Sequence, residues 1–298
     1  MFKSLIRTFA IVAAFIAGYM MPGLHVYSWM FKWMLIVMLF VTFLGIRFKR
    51  MKPERAHWLL TGANLMVALA AWGVCRLVFG DGYLAQAAFF VGIMPTATAA
   101  PVVMGLLGGS VEFMLTALLL INGIICSLLS FILPAVVGRG GFEIYLNVAQ
   151  NISLVMLLPL ALALAARRFY PRAIAWPRKL KDVTFGIWVV ILVLIAANAS
   201  YDISSREGIS ERVLEQIGVI ALLVCGVNFG LGYLLGGRTR AAECSQALGQ
   251  KNTTLSIYLA LTYASPIAAL GPTFYVLWHN LWNAWQLYRA SERKRRDG

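Results

Sequence analysis

The residue of this sequence with the clearest chemical potential is Lys251, which lies in the apolar stretch CSQALGQKNTTLSIYLALTY. If that stretch crosses a membrane, an ammonium group at mid-depth costs at least about 2.5–3.5 kcal/mol, and a functional role is the default interpretation. Gly249 can end a helix before Lys251, and Asn252 or Thr253 can cap a new helix after it. The pattern predicts a broken helix with Gln250 and Lys251 at the break.

A second break is predicted in the stretch FFVGIMPTATAAPVVMGLLGG. Pro95 lacks a backbone donor and clashes with the preceding helical turn. We expect Thr98 to cap a new half-helix, with Pro101 in its first turn, where the missing N–H costs little. The N-terminus of a half-helix presents unpaired N–H donors and a partial positive charge. Two such breaks therefore favour the binding of an anion.

Two further polar residues, His279 and Asn280, lie in YVLWHNLWNAW near the end of the sequence. A single buried histidine, taken alone, is more often a packing residue than a functional one. The four cysteines lie in or beside apolar segments, and neither CxxC nor HxxxH spacing occurs. The sequence therefore predicts no metal site, no disulfide framework and no cofactor.

The elements that hold these residues are predicted to be membrane helices. Of the 298 residues, 60% are hydrophobic and 13% are charged, against about 45–50% and about 25% in soluble domains. The mean hydropathy is +0.77. One aqueous core cannot bury so much apolar surface, so we expect a single integral membrane domain over residues 1–298, covered in part by the lipid bilayer.

Stretches of about 20 apolar residues predict ten transmembrane helices joined by short loops. They lie near residues 4–22, 28–46, 58–79, 83–107, 111–137, 142–166, 183–199, 213–235, 241–264 and 266–288. The two predicted breaks fall in segments four and nine, each the fourth of a block of five. Broken helices at matching positions are typical of inverted-repeat transporters with a binding site at the membrane midplane.

The basic residues predict the orientation. They cluster in the segments that face one side when the N-terminus is cytoplasmic, as at Arg47, Lys49, Arg50, Lys52 and Arg55. By the positive-inside rule, both termini are cytoplasmic and the 201–212 loop is outside, in a cell (inner or plasma) membrane. The net charge of +14 is therefore attributed to membrane flanks and not to nucleic-acid binding.

At these motifs the chain resembles the bile acid:sodium symporter family. MPTATAAPVVMGLLGGS and GQKN are similar to the family's two crossover helices, and WHN at 278–280 is similar to a stretch of its last helix. The resemblance implies an all-α fold with a panel (4–46 and 142–199) and a core (58–137 and 213–288). It also implies a substrate site at Thr98, Asn252, His279 and Asn280, and a monomer that moves a small or amphipathic organic anion, bile-acid-like or pantoate-like.

The family's sodium ligands do not carry over to this sequence. The matching positions hold Ala100 and Pro101 in the first crossover, and Ala247 and Lys251 in the second. We therefore expect Lys251 to replace one sodium ion by neutralising the carbonyls that end the first half of segment nine. Direct pairing of Lys251 with the anion is the competing idea. The sequence leaves open whether transport is coupled to sodium, to protons or to no ion.

Three classes of function follow. The leading one is a secondary carrier that works by alternating access, either with the surrogate cation or as a sodium symporter with rearranged ligands. An intramembrane enzyme would need a paired acid and base at depth, and the chain offers one lysine and one histidine without a deep carboxylate. A non-transporting sensor or scaffold on the same fold is the third. We expect no enzymatic activity.

Overall fold

A computed structural model of the protein describes residues 13–46, 51–80, 82–138, 141–205 and 211–296. Parts of the predicted first helix and of the 201–212 loop lie outside these residues, as do Arg47, Lys49 and Arg50. Within the described ranges the chain is all-α, apart from one isolated bridge between two extended residues.

The helices follow the predicted apolar segments closely. Residues 13–20 are helical, and a 3-10 helix at Pro22–Tyr27 follows. The remaining α-helices are α1 (Met30–Leu44), α2 (Arg55–Phe79), α3 (Gly82–Ile93), α4 (Ala100–Leu107), α5 (Val111–Val137), α6 (Phe142–Phe169), α7 (Trp176–Lys179), α8 (Lys181–Ser205), α9 (Glu211–Gly249), α10 (Thr253–Tyr263) and α11 (Pro266–Arg296). A second 3-10 helix, Pro171–Ala175, precedes α7.

In the described part of the chain, four helices are long and apolar enough to cross a membrane: α2, α5, α6 and α9. A fifth candidate is the pair Pro171–Lys179 and Asp182–Asn198, which is bent by 57°. Several long apolar helices of this kind are typical of a multi-pass membrane protein. Helices α3 and α4 are shorter because the chain leaves the helical conformation between them.

The long run α9 is two antiparallel limbs joined by a tight turn. Gly237 has φ +56° and ψ −143°, a conformation that favours glycine, and Arg240 is also non-helical. Ser245 Oγ, in the 241–249 limb, donates to Phe229 O in the 211–236 limb at 2.8 Å. The turn therefore separates predicted segments eight and nine.

The chain divides into two compact units. The first comprises Met1–Phe48, Cys126–Ile209 and Leu261–Ile267, and the second comprises Lys49–Ile125, Ser210–Ala260 and Ala268–Gly298. In the first unit, Arg167 Nη1 donates to Ile46 O, which joins the end of α6 to the end of α1. The second unit contains both helix breaks and is the one that positions the candidate site.

Candidate functional site

The first helix break spans residues 94–99. Helix α3 ends at Ile93 and α4 begins at Ala100, with Pro101 in its first turn. Ala99 occupies the N-cap position of α4, and no side chain caps this helix. The expectation that Thr98 caps α4 is therefore wrong. The α4 helix starts one residue later than expected, so Thr98 lies in the turn before it, half-buried.

The second break spans residues 250–252. The 241–249 limb of α9 ends at Gly249, and α10 begins at Thr253. Asn252 caps α10, because its Oδ1 accepts a hydrogen bond from the backbone N–H of Leu255 at 3.3 Å. An asparagine in this position satisfies one of the donors that a helix start leaves unpaired.

The two breaks cross each other and pair as a single antiparallel bridge between Thr96 and Lys251. Ala97 N donates to Gln250 O at 2.8 Å, and Asn252 N donates to Pro95 O at 2.8 Å. Extended backbone at membrane depth needs partners for its polar groups, because lipid supplies none. Each break thus supplies hydrogen-bond partners for the other.

Side chains reinforce the crossing in a reciprocal way. Thr96 Oγ1 donates to Ala247 O at 2.7 Å, and Ala247 lies four residues before Lys251. Lys251 Nζ donates to Gly92 O at 3.2 Å, and Gly92 lies four residues before Thr96. Each bridge residue therefore binds an orphan carbonyl at the end of the helix that leads to the other.

Lys251 is buried, with 1% of its surface exposed. Besides Gly92 O, its ammonium donates to Asn64 Oδ1 on α2. The ammonium therefore binds a carbonyl in the last turn of α3, just before the first break. The expectation that it neutralises the carbonyls at the end of its own preceding helix is wrong. The crossing of the two breaks places the Lys251 side chain against α3. The carbonyls of Ala247 and Gly249, at the end of the preceding helix, instead accept hydrogen bonds from Thr96 and Tyr275.

Close packing brings α3 near enough for this contact. A Cβ on Gly92 would lie 2.5 Å from Ala68 Cα on α2. A side chain at this position would push α3 away from α2, and with it the carbonyl that the ammonium binds. Asn64 Nδ2 donates to Ile93 O at 3.0 Å, so the same amide binds both the lysine and the helix end.

Two other buried polar side chains hold the crossing from neighbouring helices. Asn122 Nδ2, on α5, donates to Thr96 O at 2.9 Å. Tyr275 Oη, on α11, donates to Gly249 O at 2.7 Å. Both contacts are made to backbone at or beside the breaks, so α5 and α11 fix the positions of the two crossing segments.

The remaining predicted site residues lie apart from this bonded set. His279 is buried and its ring packs edge-on against Tyr275, 5.5 Å between centroids. Asn280 is half-buried, and its Nδ2 donates to Val276 O in its own helix at 2.7 Å. Among the described residues, no hydrogen bond joins Thr98, Asn252, His279 and Asn280 to one another.

Three predicted site residues nevertheless carry buried polar atoms without a partner in the described structure: Gln250 Oε1, Asn252 Nδ2 and His279 Nδ1. A buried polar atom without a hydrogen bond costs about 1–3 kcal/mol. Such atoms call for an explanation, and a bound ligand or ordered water is one. Gln250 and Asn252 offer an acceptor and a donor at the second break, and His279 offers a ring nitrogen on α11 whose role depends on its tautomer.

The sequence reasoning missed Thr96, Tyr275 and a polar contact at Gln246. Gln246 Nε2 donates to Asn283 Oδ1 at 3.1 Å and also to Gln286 Oε1. The signal was present in the spacing of polar residues on α11. Tyr275, His279, Asn283 and Gln286 recur every three or four residues, so they share one helix face.

Charged side chains form a cluster at the turn that precedes the 241–249 limb of α9. Arg240 binds Glu54 at 3.0 Å and Glu243 at 3.5 Å. Glu243 Oε1 accepts a hydrogen bond from Ser110 N at 3.1 Å. This cluster ties the turn at Arg240 to the starts of α2 and α5.

No protein-family model matches the sequence, and a search of curated proteins finds no significant relative. The resemblance to the bile acid:sodium symporter family therefore rests on the motifs alone, and it stays a prediction.

Proposed function

We propose that the protein is a secondary carrier for a small or amphipathic organic anion and works by alternating access. In this proposal the chain forms ten spans in two inverted five-helix repeats, with both termini cytoplasmic, and acts as a monomer in the cell membrane. The observation that carries the proposal is the reciprocal crossing at Thr96 and Lys251.

The crossing supports an inverted repeat because equivalent positions exchange roles. Thr96 and Lys251 occupy corresponding places in the two breaks, and each side chain binds a carbonyl four residues before the other. The flanking backbone hydrogen bonds, Ala97 to Gln250 and Asn252 to Pro95, follow the same exchange. Discontinuous helices at a repeat interface are where transporters of this type bind substrate and coupling ions.

The substrate is proposed to be an anion because the breaks present donors. The N-terminus of α10 carries a partial positive charge, as does that of the second half of segment four. Asn252 Nδ2 has no hydrogen-bond partner within the described structure, and neither does His279 Nδ1. A carboxylate or sulfonate gives such donors charge-assisted hydrogen bonds, which are worth about 1.5–3 kcal/mol each.

Transport is proposed to be sodium-independent, with Lys251 in the place of a sodium ion. The ammonium binds a backbone carbonyl and an amide oxygen, Gly92 O and Asn64 Oδ1, which are neutral oxygen ligands of the kind that sodium uses. Its burial argues against the alternative in which Lys251 pairs with the anion directly. Deprotonation of Lys251 would couple transport to protons.

The test is uptake into proteoliposomes that contain the purified protein, with radiolabelled carboxylates and sulfonates as a panel. We expect saturable uptake of at least one anion, unchanged when sodium is replaced by choline. Uptake that requires sodium would instead favour a symporter with rearranged ligands. Saturable binding without uptake of any bound anion would favour a sensor or scaffold on the same fold.

A further inference from the structure

A second lysine, Lys32 in the first unit, is notable because its ammonium donates a hydrogen bond to an uncharged amide. It lies near the start of α1 and is half-buried. Its Nζ donates to Asn151 Oδ1 on α6 at 2.9 Å. Within the described residues, Lys32 forms no ion pair. A fixed ammonium without a carboxylate leaves a net positive charge at this place.

The lysine belongs to a chain of polar side chains. Asn151 Nδ2 donates to Asn147 Oδ1 at 2.9 Å, one turn away on α6. Tyr263 Oη, at the end of α10, donates to the same Asn147 oxygen at 3.0 Å. These contacts orient Asn151 so that its oxygen faces Lys32. The chain of contacts therefore holds the ammonium in place and leaves its remaining N–H groups for another acceptor.

The depth of these polar side chains in the membrane argues that they face water. Helix α6 has 28 residues, so it is about 42 Å long, and Asn151 lies about 13 Å along its axis from Phe142. With the helix centred on a hydrocarbon core about 30 Å thick, Asn151 lies about 7 Å inside that core. Lys32, which binds Asn151, is half-exposed, and Asn147 is exposed one helical turn nearer the start of α6. Amide and ammonium groups that faced lipid there would be costly, which favours a water-filled vestibule.

An apolar surface adjoins the polar chain. A shallow surface cleft, without room for a buried group, is lined by Leu133, Pro134, Val137, Ile144, Val148 and Tyr263. Tyr263 is shared between the cleft and the polar chain, and Ile144 and Val148 flank Asn147 on α6. The cleft is thus linked to the Lys32 ammonium, within one unit, through the hydrogen bonds of Tyr263, Asn147 and Asn151.

We propose that Lys32, Asn147, Asn151 and Tyr263 form an anion-recruiting site that takes the carboxylate or sulfonate group of an amphipathic organic anion. Lys32 supplies the charge, Asn151 binds its ammonium, and the surface of the apolar side chains beside Tyr263 contacts the apolar part of the ligand. The residues of this site belong to the first unit, whereas those of the crossing belong to the second. Its role in transport rests on the proposed function, whereas its affinity for anions does not.

The test measures the electrostatic potential at the site and needs no transport. Asn147→Cys is reacted with two membrane-impermeant methanethiosulfonates, one carrying a sulfonate and the other a trimethylammonium group. The native cysteines are all buried, so their background reaction is low. We expect Asn147→Cys to react, and Leu157→Cys, at an exposed apolar position of α6, to stay unreacted in the membrane.

The decisive quantity is the ratio of the two reaction rates. We expect Lys32→Gln to lower the preference for the sulfonate reagent about tenfold, because the local positive potential is lost. Lys32→Arg, which keeps the positive charge, should retain the preference for the sulfonate reagent. That result would show that the fold tolerates a change at this position. Benzenesulfonate should slow the reaction at Asn147→Cys, whereas benzyl alcohol, which has the same ring without the charge, should not.

Three results would overturn the inference. One is no reaction at Asn147→Cys, which would mean that the position faces lipid. Another is an unchanged rate ratio in Lys32→Gln. The third is an absence of protection by benzenesulfonate when the ratio does respond, which would mean a charge without a binding site. None of these depends on uptake, so failure of the carrier proposal and failure of this site are distinguishable.

Discussion

Asn64 and Lys251 are joined by a hydrogen bond from the lysine ammonium to the amide oxygen, and both side chains are buried. The amide nitrogen of Asn64 is committed to Ile93 O, so the amide group is oriented with its oxygen towards the lysine. Asn64 thus bridges the last carbonyl of α3 and the Lys251 ammonium. This relationship couples the stability of the second unit to the charge at position 251.

We expect that coupling to appear in a double-mutant cycle. Asn64→Ala should destabilise the protein by about 1.5–3 kcal/mol, because the ammonium loses a charge-assisted hydrogen bond in a buried place. In the Lys251→Met background the same change should cost about 1 kcal/mol or less. Thermal unfolding in detergent measures both.

The matched control for the cycle is Asn122→Ala. Asn122 is also buried, but its amide donates only to the carbonyls of Thr96 and Leu118. Its replacement should therefore cost the same with and without the lysine. Additive effects of Asn64→Ala and Lys251→Met would contradict the coupling.

If the proposed carrier function holds, Lys251→Gln should make anion binding depend on sodium. The glutamine removes the fixed cation and supplies an oxygen, so the carbonyl of Gly92 and the amide of Asn64 become available to an ion. Sodium titration of anion binding in the variant and the wild type measures the change. If the variant binds anions weakly at every pH and sodium concentration, direct pairing of Lys251 with the substrate is the better explanation.

Asn252→Ala and His279→Ala are each expected to weaken anion binding about tenfold, since each removes a buried nitrogen that lacks a hydrogen-bond partner within the described structure. Isothermal titration with the anion found in the uptake panel measures the affinity. Thr273→Ala is the control for His279→Ala, on the same helix, α11. Thr273 is also buried, but its Oγ1 already donates to Ala269 O, so its loss should leave anion binding unchanged. Unchanged affinity in both site variants would move the substrate site elsewhere.

The topology predicts which surface residues an external reagent reaches. Ser204, near the end of α8, and Lys52, before α2, are both exposed. A membrane-impermeant maleimide added to intact cells should modify Ser204→Cys and leave Lys52→Cys unmodified, because basic flanks stay in the cytoplasm. The reverse pattern would invert the orientation.

The positions of the helices and of both breaks were accessible from the sequence because they depend on local properties. Apolar length predicts a membrane helix, and Pro95 and Gly249 mark places where a helix ends for reasons of backbone chemistry. The cap at Asn252 also follows from its immediate neighbours. The error at Thr98 was of the same local kind and concerned a single residue of register.

The partners of the side chains were decided by the tertiary structure alone. Lys251 lies far from Gly92 and Asn64 in the chain, and nothing near it in sequence predicts that it binds the end of α3. Its partner follows from the antiparallel crossing of the two breaks, which is set by the packing of whole helices. Local sequence therefore determined where the backbone breaks, and packing decided which groups satisfy the break, because orphan carbonyls accept whichever donor the fold brings within reach.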